Sequence, residues 1–458
     1  MTAKKVLPWP NRRGYIGFHS TGPCARDAFS GSARPHTRGT HMLVNPPGIE
    51  DIFPDRIDKW NFVTGTARAA FAAHNFREIV IPVLEYTDVF ARGLGTDTDI
   101  VSKEMFTFED RGGRSLTLRP EGTASVVRAY VSNGEYNRLS SAKFFYCGPM
   151  FRAERPQKGR LRQFNQFGAE FFGSSDPYYD FESIAMMDAI TKGVGIADYT
   201  LLVNSIGCPD CRAGYIKELK SYYQGLSDKL CEDCVRRLQT NPLRLLDCKQ
   251  EGCVALKADT PRITEFLDEG CRTHHAAVKE YLTQNSIAFK EDPLLVRGLD
   301  YYTRTTFEFT TTRLGGQNAF AAGGRYDNLV EQFGGKPTPA VGFAAGIERI
   351  LLIIEDREVP ASRLDAYIVH GGGASLVRAV NLASLLRAAG ISCDLEPGQK
   401  GFKAQFKKAD RERAAFALII GDEEAASGTC MAKRMDTGAQ EPVPLEKCVE
   451  FLRKALHL

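Results

Sequence analysis

MFRAERPQKGRLRQFNQFGAEFF, residues Met150–Phe172, predicts a β-hairpin with a strongly basic loop. The apolar run Phe144–Phe151 has the composition of a buried strand, and Pro156 and Gly159 are residues that form turns. From Leu161 the chain is again apolar and aromatic enough to return as a second strand. Five basic residues lie in and beside the loop: Arg152, Arg155, Lys158, Arg160 and Arg162.

This basic loop permits two interpretations. Arginine binds phosphate through two parallel hydrogen bonds, and the aromatic ring of Phe164 can stack on a nucleotide base. A solvated basic turn at the edge of a sheet would have the same composition. The hairpin by itself leaves both interpretations open.

Length and composition describe an ordinary globular protein. The 458 residues suit two or three domains, and 43% hydrophobic with 25% charged residues is typical of such chains. No run of roughly 18 apolar residues occurs, so no membrane span is expected. The net charge is +3, but residues 1–41 hold seven basic residues and one acidic residue. A nucleic-acid partner would therefore have to be held by local basic patches.

The first 41 residues are rich in Gly, Ser, Pro and Arg and show no periodicity, so we expect a disordered leader over 1–41. Its composition resembles that of a transit peptide. It also fits translated upstream sequence with the functional start at Met42, and we favour this second interpretation because no clear amphipathic helix is present.

Residues 42–358 predict an α+β domain with a mostly antiparallel sheet. A helix is expected over Asp55–Asn75, and a strand over Phe76–Pro82. A Cys-, Lys- and Glu-rich stretch, at about 200–290, predicts a helical insertion. The remaining expected elements are a hairpin of Phe106–Asp110 with Ser115–Arg119, helices at Thr123–Tyr130 and Tyr178–Lys192, strands at Leu294–Tyr302 and Thr305–Thr312, and a strand followed by a helix over Ala340–Ile354.

Residues 365–458 show a different pattern. Strands and helices alternate there, which predicts a separate α/β domain. The expected elements are strands at Asp365–His370, Ile391–Leu395 and Phe416–Gly421, and helices at Ser375–Ala389 and Phe402–Arg413.

Arginines occur at four separate loops or strand ends of the first domain. Each is more often part of a structural ion pair, but several that converge on one site would indicate a polyphosphate substrate. Neither a P-loop nor a Rossmann glycine motif is present, so those modes of phosphate binding are not expected. The positions are Arg119, Arg152 with Arg162, Arg297, and Arg349.

At these motifs the chain resembles the class II aminoacyl-tRNA synthetases and, within them, the histidyl-tRNA synthetases, over essentially all of 42–458. Phe151–Glu154 and Gly342–Arg349 resemble the class motifs, and Ile79–Pro82 resembles a dimer-forming strand. Val296–Tyr302 and Ala322–Asp327 resemble segments particular to the histidine enzymes. The resemblance implies a class II antiparallel-sheet catalytic domain, a C-terminal anticodon-binding domain, a homodimer and a cytoplasmic location without membrane attachment.

The resemblance also implies a reaction. L-histidine would be activated with ATP to histidyl-adenylate and transferred to tRNA(His), with release of AMP and pyrophosphate. Fixed guanidinium groups would stabilise the charge that develops on the transferring group. Arg152, Arg297 and Arg349 are the expected catalytic residues, and Mg²⁺ on the β- and γ-phosphates is expected. The expected ATP-binding residues are Arg152 at the α-phosphate, Glu154 and Phe164 at the adenine, and Arg162 with Arg349 at the β- and γ-phosphates.

Histidine recognition needs acceptors for the ring N–H groups and an anion for the α-ammonium group. The polar candidates are Glu121, Thr123, Gln166 and Glu170, with Tyr301 and Tyr302 beside the ring. If both tyrosines lie on a strand they face opposite sides, and we expect Tyr302 to face the pocket. A site that pairs both ring nitrogens rejects analogues by about 10⁴–10⁵, so no editing domain is expected. Asn165 replaces a histidine that is common in the family, with little expected effect.

Contacts to tRNA are expected in two places. Gln157, Lys158 and Arg160 of the hairpin loop would meet the acceptor end. Lys403, Lys407 and Arg411 recur every four residues and form a cationic stripe on a helix, suited to backbone phosphates. A solvated helix face is the alternative.

Two C-x-x-C motifs, Cys208–Cys211 and Cys231–Cys234, have the separation of a zinc ribbon. Structural Zn²⁺ and reduced buried thiols both remain open, and disulfides are not expected. A rival to the synthetase is a non-catalytic regulatory paralogue that serves ATP phosphoribosyltransferase. The residues 365–458 and the three arginines Arg152, Arg297 and Arg349 favour the ligase, and Arg297–Tyr302 disfavours a synthetase of another specificity.

Overall fold

The computed structural model describes residues 43–95, 98–315, 318–398 and 400–457. The leader expected over 1–41 lies outside the described residues. Pro46–Leu458 form one unit, and the fold below concerns that unit. No helix among the described residues is long and apolar enough to cross a membrane.

Sixteen strands lie within the described ranges. In chain order they are β1 (Arg77–Glu78), β2 (Leu84–Tyr86), β3 (Phe106–Glu109), β4 (Ser115–Leu118), β5 (Ala142–Phe151), β6 (Gln163–Phe172), β7 (Thr200–Ser205), β8 (Lys290–Glu291), β9 (Thr303–Thr310), β10 (Ala319–Arg325), β11 (Ala340–Gly346), β12 (Ala366–His370), β13 (Cys393–Leu395), β14 (Phe416–Ile420), β15 (Thr429–Arg434) and β16 (Gln440–Pro444).

Fifteen α-helices accompany them in the same part of the chain. They are α1 (Pro54–Ala73), α2 (Thr87–Leu94), α3 (Thr123–Ser132), α4 (Glu135–Arg138), α5 (Pro177–Gly193), α6 (Pro209–Gln224), α7 (Glu232–Thr240), α8 (Glu251–Ala255), α9 (Glu269–Gln284), α10 (Leu329–Gln332), α11 (Ile347–Ile353), α12 (Gly373–Ala388), α13 (Phe402–Arg411), α14 (Asp422–Ser427) and α15 (Cys448–Leu456).

An eight-stranded sheet in the order β1-β5-β6-β11-β10-β9-β7-β8 forms the centre of the first domain. All its neighbours pair antiparallel except the parallel pairs at the two edges, β1 with β5 and β7 with β8. The predicted hairpin is confirmed, because β5 and β6 pair over ten residues from Ala142–Phe172 to Phe151–Gln163. The α+β fold class with an antiparallel-rich sheet is therefore confirmed.

Three expectations for this domain need correction. Leu294–Tyr302 is not a strand, since the chain there forms turns and bends that bury Leu295 and Val296 without ladder bonds. The expected strand Phe76–Pro82 is reduced to β1, with one further bond from Ile79 N to Phe145 O at 2.8 Å. Thr200–Ser205, expected within the insertion, is a strand of the sheet that pairs with β9. The helical part thus begins at Pro209.

Helices cover the sheet with apolar side chains. α1, α5 and α11 share one core with the sheet, in which Phe71, Phe167 and Phe343 are buried. α9 joins the same core through Val278 and Leu282, so this last helix of the predicted insertion packs on the sheet domain. Burial of such side chains contributes roughly 1.5–3 kcal/mol each.

The C-terminal domain has its own five-stranded sheet in the order β13-β12-β14-β15-β16. β12, β13 and β14 are parallel, as the predicted alternation requires, whereas β15 and β16 add antiparallel strands that the sequence pattern did not indicate. Two apolar clusters, formed by residues from Leu364 onward, hold this sheet and its helices together.

Candidate active site

An open cavity of about 550 Å³ lies over the large sheet. Strands β6, β11, β10, β9 and β7 contribute to its lining, together with the hairpin loop and the helical insertion. Seven of the predicted residues lie in the lining: Arg152, Glu154, Arg160, Phe164, Gln166, Arg297 and Arg349. Residues up to 197 positions apart in sequence therefore meet at one site, as expected for a polyphosphate substrate.

Arg152 follows the last residue of β5. Its backbone N–H donates to the Arg162 carbonyl at 2.8 Å, and its Nε donates to the Pro120 carbonyl at 3.1 Å. The guanidinium group lies 5.1 Å from the centroid of the Phe164 ring. Burial lowers the pKa of Arg152, while the nearby Glu104 and Glu154 oppose the shift. A half-buried cation held over an aromatic ring is well placed to receive an anionic group.

The hairpin loop turns Arg160 inward. Gly159 has a φ of +75°, a left-handed conformation that glycine adopts without strain, and Arg160 Nη1 bonds the Glu154 carboxylate at 2.7 Å. Both Arg160 and Glu154 line the cavity, whereas Gln157 and Lys158 are exposed. The sequence had assigned Arg160 to tRNA contact, so the structure adds a cavity cation that the sequence missed.

Arg162 is not part of the lining. Its Nε donates to the Glu154 carbonyl at 3.2 Å, and its backbone N–H donates to the Gly48 carbonyl at 2.8 Å. These bonds fix the base of the loop. Arg160 lines the cavity and Arg162 does not, and contact of Arg162 with the β- and γ-phosphates stays a prediction.

Arg349 stands in the first turn of α11, directly after β11. Its Nε donates to the Gly159 carbonyl at 3.0 Å, and its Nη1 also bonds the Ala319 carbonyl. Burial, together with the nearby Arg160 and Arg152, lowers the pKa of Arg349 to about 10. Three like charges held close together repel one another, and a bound polyanion would relieve that repulsion.

Arg297 and Gln166 each present an unsatisfied polar atom at this site. Arg297 forms an ion pair with Glu308, yet its Nε is buried with no hydrogen-bond partner among the described residues. The Oε1 atom of Gln166 is likewise buried and unpaired within the described part of the chain. An unpaired buried polar group costs about 1–3 kcal/mol, so such atoms are commonly completed by a ligand.

Three other residues predicted to bind the substrate histidine, Glu121, Thr123 and Glu170, form a buried polar cluster that does not line the cavity. Glu121 accepts hydrogen bonds from the backbone N–H groups of Thr123 and Ala124, both at 2.7 Å, at the start of α3. Glu170 accepts a bond from Thr123 Oγ1 at 2.7 Å and another from the Tyr326 hydroxyl. Burial raises the pKa of Glu121, and it raises that of Glu170 to about 8.

Space around Glu170 depends on a glycine of the neighbouring strand. Gly342 of β11 pairs with Glu170 of β6, and a Cβ atom added there would lie 1.8 Å from Glu170 Oε2. Tyr326 belongs to the segment Ala322–Asp327 that the sequence singled out, although no role had been given to that tyrosine. Arg325 beside it is fully buried in an ion pair with Asp180 and Asp327 and acts in the fold.

Tyr301 and Tyr302 are both buried, and neither lines the cavity. Their ring centroids are 4.6 Å apart, and the Tyr301 ring lies 5.5 Å from that of Tyr326. The expectation that the two tyrosines face opposite sides of a strand was wrong, because this segment is a loop. The Tyr301 ring contacts that of Tyr326, and the Tyr326 hydroxyl donates to Glu170 of the polar cluster.

Two further predicted positions have structural partners. Asn165 donates through its backbone N–H and through Nδ2 to the Glu348 carboxylate, each at 2.9 Å, and Glu348 lines the cavity. Arg119 instead lies away from the cavity, where its Nε donates to the Pro149 carbonyl at 2.8 Å. Asn165 thus contacts the site through Glu348, whereas Arg119 braces the fold.

The insertion closes one side of the cavity. Asp247, Cys248 and Lys249 line it, as does Lys257, which donates to the carbonyls of Leu246 and Cys248 at 2.5 and 2.7 Å. No sequence motif indicated that these residues belong to the site, since the insertion is separate from the arginine motifs.

The predicted tRNA stripe is exposed. Lys403, Lys407 and Arg411 lie on α13 with their side chains open to solvent, and Arg411 pairs with Glu412. Phe406 of the same helix is half-buried, with Lys433 5.2 Å from its ring centroid. The stripe is therefore available to a backbone of phosphates.

Comparisons with known proteins agree with this arrangement. A family model for histidyl-tRNA synthetase matches residues 48–350, and one for an anticodon binding domain matches 365–455. The histidine–tRNA ligase of Halothermothrix orenii is 47% identical over 412 residues, covering 89% of this chain and 98% of that protein. That of Natranaerobius thermophilus is 44% identical over 418 residues, covering 90% and 99%.

A solved structure supports the same assignment. The apo histidyl-tRNA synthetase of S. aureus matches with a TM-score of 0.76 at 37% identity, covering 90% of this chain and 100% of that one. Sequence match, fold and the converging arginines agree, and the chain belongs to the histidyl-tRNA synthetase family.

Proposed function

We propose that this chain is a histidine–tRNA ligase. It activates L-histidine with ATP and transfers the histidyl group to tRNA(His). The observation that carries the proposal is the cavity itself, where Arg152, Arg160, Arg297 and Arg349 converge and Arg297 Nε and Gln166 Oε1 lack partners among the described residues.

In the first step a carboxylate oxygen of histidine attacks the α-phosphorus of ATP. The bond from that phosphorus to the bridging oxygen breaks, and pyrophosphate leaves. Arg152 and Arg297 hold the carboxylate and the α-phosphate together, and Arg160 and Arg349 hold the β- and γ-phosphates. Because these guanidinium groups are already fixed by Pro120, Glu308, Glu154 and Gly159, little reorganisation accompanies the reaction.

Adenine stacks on Phe164, whose other neighbour is the Arg152 guanidinium. In the second step a ribose hydroxyl at the tRNA 3′ end attacks the histidyl carbonyl carbon, and AMP leaves. Lys158 and Gln157, both exposed at the hairpin loop, contact the acceptor end, while Lys403, Lys407 and Arg411 contact the anticodon stem through its phosphates.

Histidine binds between the cavity and the buried polar cluster. Gln166 Oε1 accepts one hydrogen bond, and Glu121, Thr123 and Glu170 provide oxygens for the ammonium and ring N–H groups. Tyr301 and Tyr302 provide the apolar wall. An apolar amino acid would leave Gln166 Oε1 without a partner, which favours histidine without an editing step.

Magnesium would be carried mainly by the nucleotide. Carboxylates line the cavity, and carboxylate and phosphate oxygens suit Mg²⁺, but Glu154 and Glu308 are already paired with Arg160 and Arg297. The β- and γ-phosphates would therefore supply most of its ligands. When bound, the ion would neutralise phosphate charge.

The functional unit is proposed to be a cytoplasmic homodimer. Support comes from the sheet edge beside β1, where Val80 is 90% exposed in a segment that resembles the family's dimer strand. An apolar side chain so exposed at a sheet edge is suited to burial against a second copy.

The experiment that tests this function is ATP–pyrophosphate exchange with each of the twenty amino acids. Exchange should depend on histidine, with the other amino acids at background, and labelled histidine should be transferred to tRNA(His). Exchange that depends on a different amino acid, or no exchange with any of them, would refute the assignment.

A further inference from the structure

The insertion brings eight side chains of metal-binding types together in two groups, and of these Cys248 alone also lines the cavity described above. In the first, Cys231, Cys234, Cys248 and Cys253 place their sulfur atoms within 4.8 Å of one another. In the second, Cys208, Cys211, Asp268 and Cys271 place three sulfurs and a carboxylate oxygen within the same distance. The two C-x-x-C motifs therefore belong to different groups, which corrects the single ribbon that their separation suggested.

We propose that the insertion holds two structural zinc ions, one in each of these groups. Zinc at about 2.3 Å from each of four tetrahedral ligands would hold its sulfurs about 3.8 Å apart. Cys231 Sγ and Cys248 Sγ are 3.8 Å apart, and Cys208 Sγ and Cys211 Sγ are 3.5 Å apart. Mostly thiolate ligands select zinc over hard cations such as magnesium.

The surroundings of both groups suit thiolate ligands. The backbone N–H of Cys231 donates to Cys253 Sγ at 3.3 Å, and that of Asp268 donates to Cys211 Sγ at 3.1 Å. Backbone N–H bonds of this kind orient and stabilise metal-bound sulfur. In the second group Asp268 Oδ1 is fixed by the Cys271 N–H at 2.7 Å, and Oδ2 lies 3.2 Å from Cys208 Sγ.

The two groups join different helices, so the two proposed ions would stabilise different parts of the fold. The second group joins the start of α6 to the start of α9, and α9 packs on the large sheet. The first group joins the start of α7 to Cys248 and to Cys253 in α8. One ion would thus attach the insertion to the sheet domain, and the other would hold together its interior.

The first group also contacts the cavity. Its expected effect on the reaction rests on the proposed function. Cys248 lines the cavity, and its neighbour Asp247 pairs with Arg244 Nη1 at 2.7 Å. The same nitrogen donates to the Arg297 carbonyl at 3.1 Å. Loss of this ion should therefore loosen the support of Arg297, whereas loss of the other should not act by this route.

The direct test is the metal content of the full-length protein, purified without chelator and dialysed against metal-free buffer. Elemental analysis should find two zinc ions per chain. Fewer than two, or iron in place of zinc, would overturn the proposal. This count does not depend on enzymatic activity, so its failure is distinct from failure of the proposed ligase function.

Two serine substitutions assign the ions. Cys208 and Cys231 each stand just before a helix, where serine is a favoured cap, so Cys208→Ser and Cys231→Ser remove a ligand with little harm to the helix. Each variant should lose one zinc, and the double variant both. Cys147→Ser, a half-buried cysteine outside both groups, should keep two. Unchanged zinc in either single variant would exclude that group.

Cobalt substitution in the unaltered chain covers the case in which the variants fail to fold. Cobalt bound to several thiolates gives sulfur-to-metal charge-transfer bands in the near ultraviolet and strong visible bands of tetrahedral sites. Both should appear and saturate at two cobalt ions per chain. Absence of the charge-transfer bands would contradict thiolate ligation. In pyrophosphate exchange, Cys231→Ser should raise the KM for ATP several-fold more than Cys208→Ser.

Discussion

Arg349 of α11 donates through Nε to the carbonyl oxygen of Gly159 in the hairpin loop, at 3.0 Å. The bond joins two motifs that are far apart in sequence and brings the Arg349 guanidinium to the side of the cavity where Arg160 enters. The loop is thereby held at the cavity wall by one of the cations that we propose to bind ATP. The same side chain can thus position the loop and bind phosphate.

Arg349→Lys tests whether the positive charge of residue 349 is sufficient or whether the planar hydrogen-bonding group of arginine is needed. Lysine keeps the positive charge but cannot hold the Gly159 and Ala319 carbonyls while presenting a planar fork to phosphate. We expect kcat for histidine-dependent pyrophosphate exchange to fall by roughly 10²-fold, the scale found when one preorganised donor is lost. Arg155→Lys, an exposed loop arginine, is the control. Equal rates in both variants would argue against a role for Arg349 geometry.

Substitution of Arg160 and of Arg162, two residues apart in the hairpin loop, should affect different properties of the protein. Arg160 lines the cavity, whereas Arg162 holds the base of the loop. Arg160→Ala should raise the KM for ATP about tenfold or more, as loss of a charged hydrogen bond does. Arg162→Ala should change KM less and act mainly on thermal stability. A larger effect on KM from Arg162→Ala would restore the assignment that the sequence first suggested.

Glu170 predicts a pH-dependent stability. Its folded-state pKa of about 8 lies above the ordinary 4.5, so between these values the folded protein keeps a proton that the unfolded chain releases. The contribution of Glu170 to stability is thus fully present below pH 4.5 and is lost as the pH rises to about 8. Glu170→Gln stays neutral throughout, so its stability relative to wild type should improve across this range.

Melting temperatures of the ligand-free proteins, measured at a series of pH values across that range, check this prediction. The difference between Glu170→Gln and wild type should grow in favour of the variant and then level off above pH 8. Glu109→Gln, on an exposed part of β3, is the matched substitution measured beside it. A difference for Glu170→Gln that stays constant with pH would show that Glu170 ionises normally in the folded protein.

Val80→Asp tests the proposed dimer. Val80 is 90% exposed beside β1, so the substitution has little to disturb within one chain. Burial of an aspartate in an apolar interface costs several kcal/mol, so the variant should sediment as a monomer at concentrations where wild type is dimeric. A variant that remains dimeric would place the interface elsewhere.

Local patterns were enough to predict the hairpin of β5 and β6 and the strands and helices of the C-terminal domain up to β14. Long apolar runs bounded by turn residues determine such elements. Leu294–Tyr302 has the same apolar character, yet it is a buried loop, because packing against the insertion and Tyr326 takes the place of ladder bonds. Composition alone does not distinguish these two kinds of burial.

The sequence predicted those residues of the candidate site that belong to recognisable motifs. Arg152, Phe164, Gln166, Arg297 and Arg349 could be named from sequence, and the structure brings them to one cavity. The choice between Arg160 and Arg162 depends on the left-handed turn at Gly159, which sets the direction in which the loop side chains point. Pairing of the cysteines depends on how the insertion folds back on itself, which spacing along the chain does not specify.

The central claim is that fixed guanidinium groups from distant parts of the chain act on one molecule of ATP beside histidine. Arg297→Ala tests it most directly, since Arg297 has an unpaired Nε at the cavity within the described structure. Histidine-dependent pyrophosphate exchange should fall by at least roughly 10²-fold while the circular dichroism spectrum stays that of wild type. Exchange at the wild-type rate in a folded Arg297→Ala variant would contradict the account.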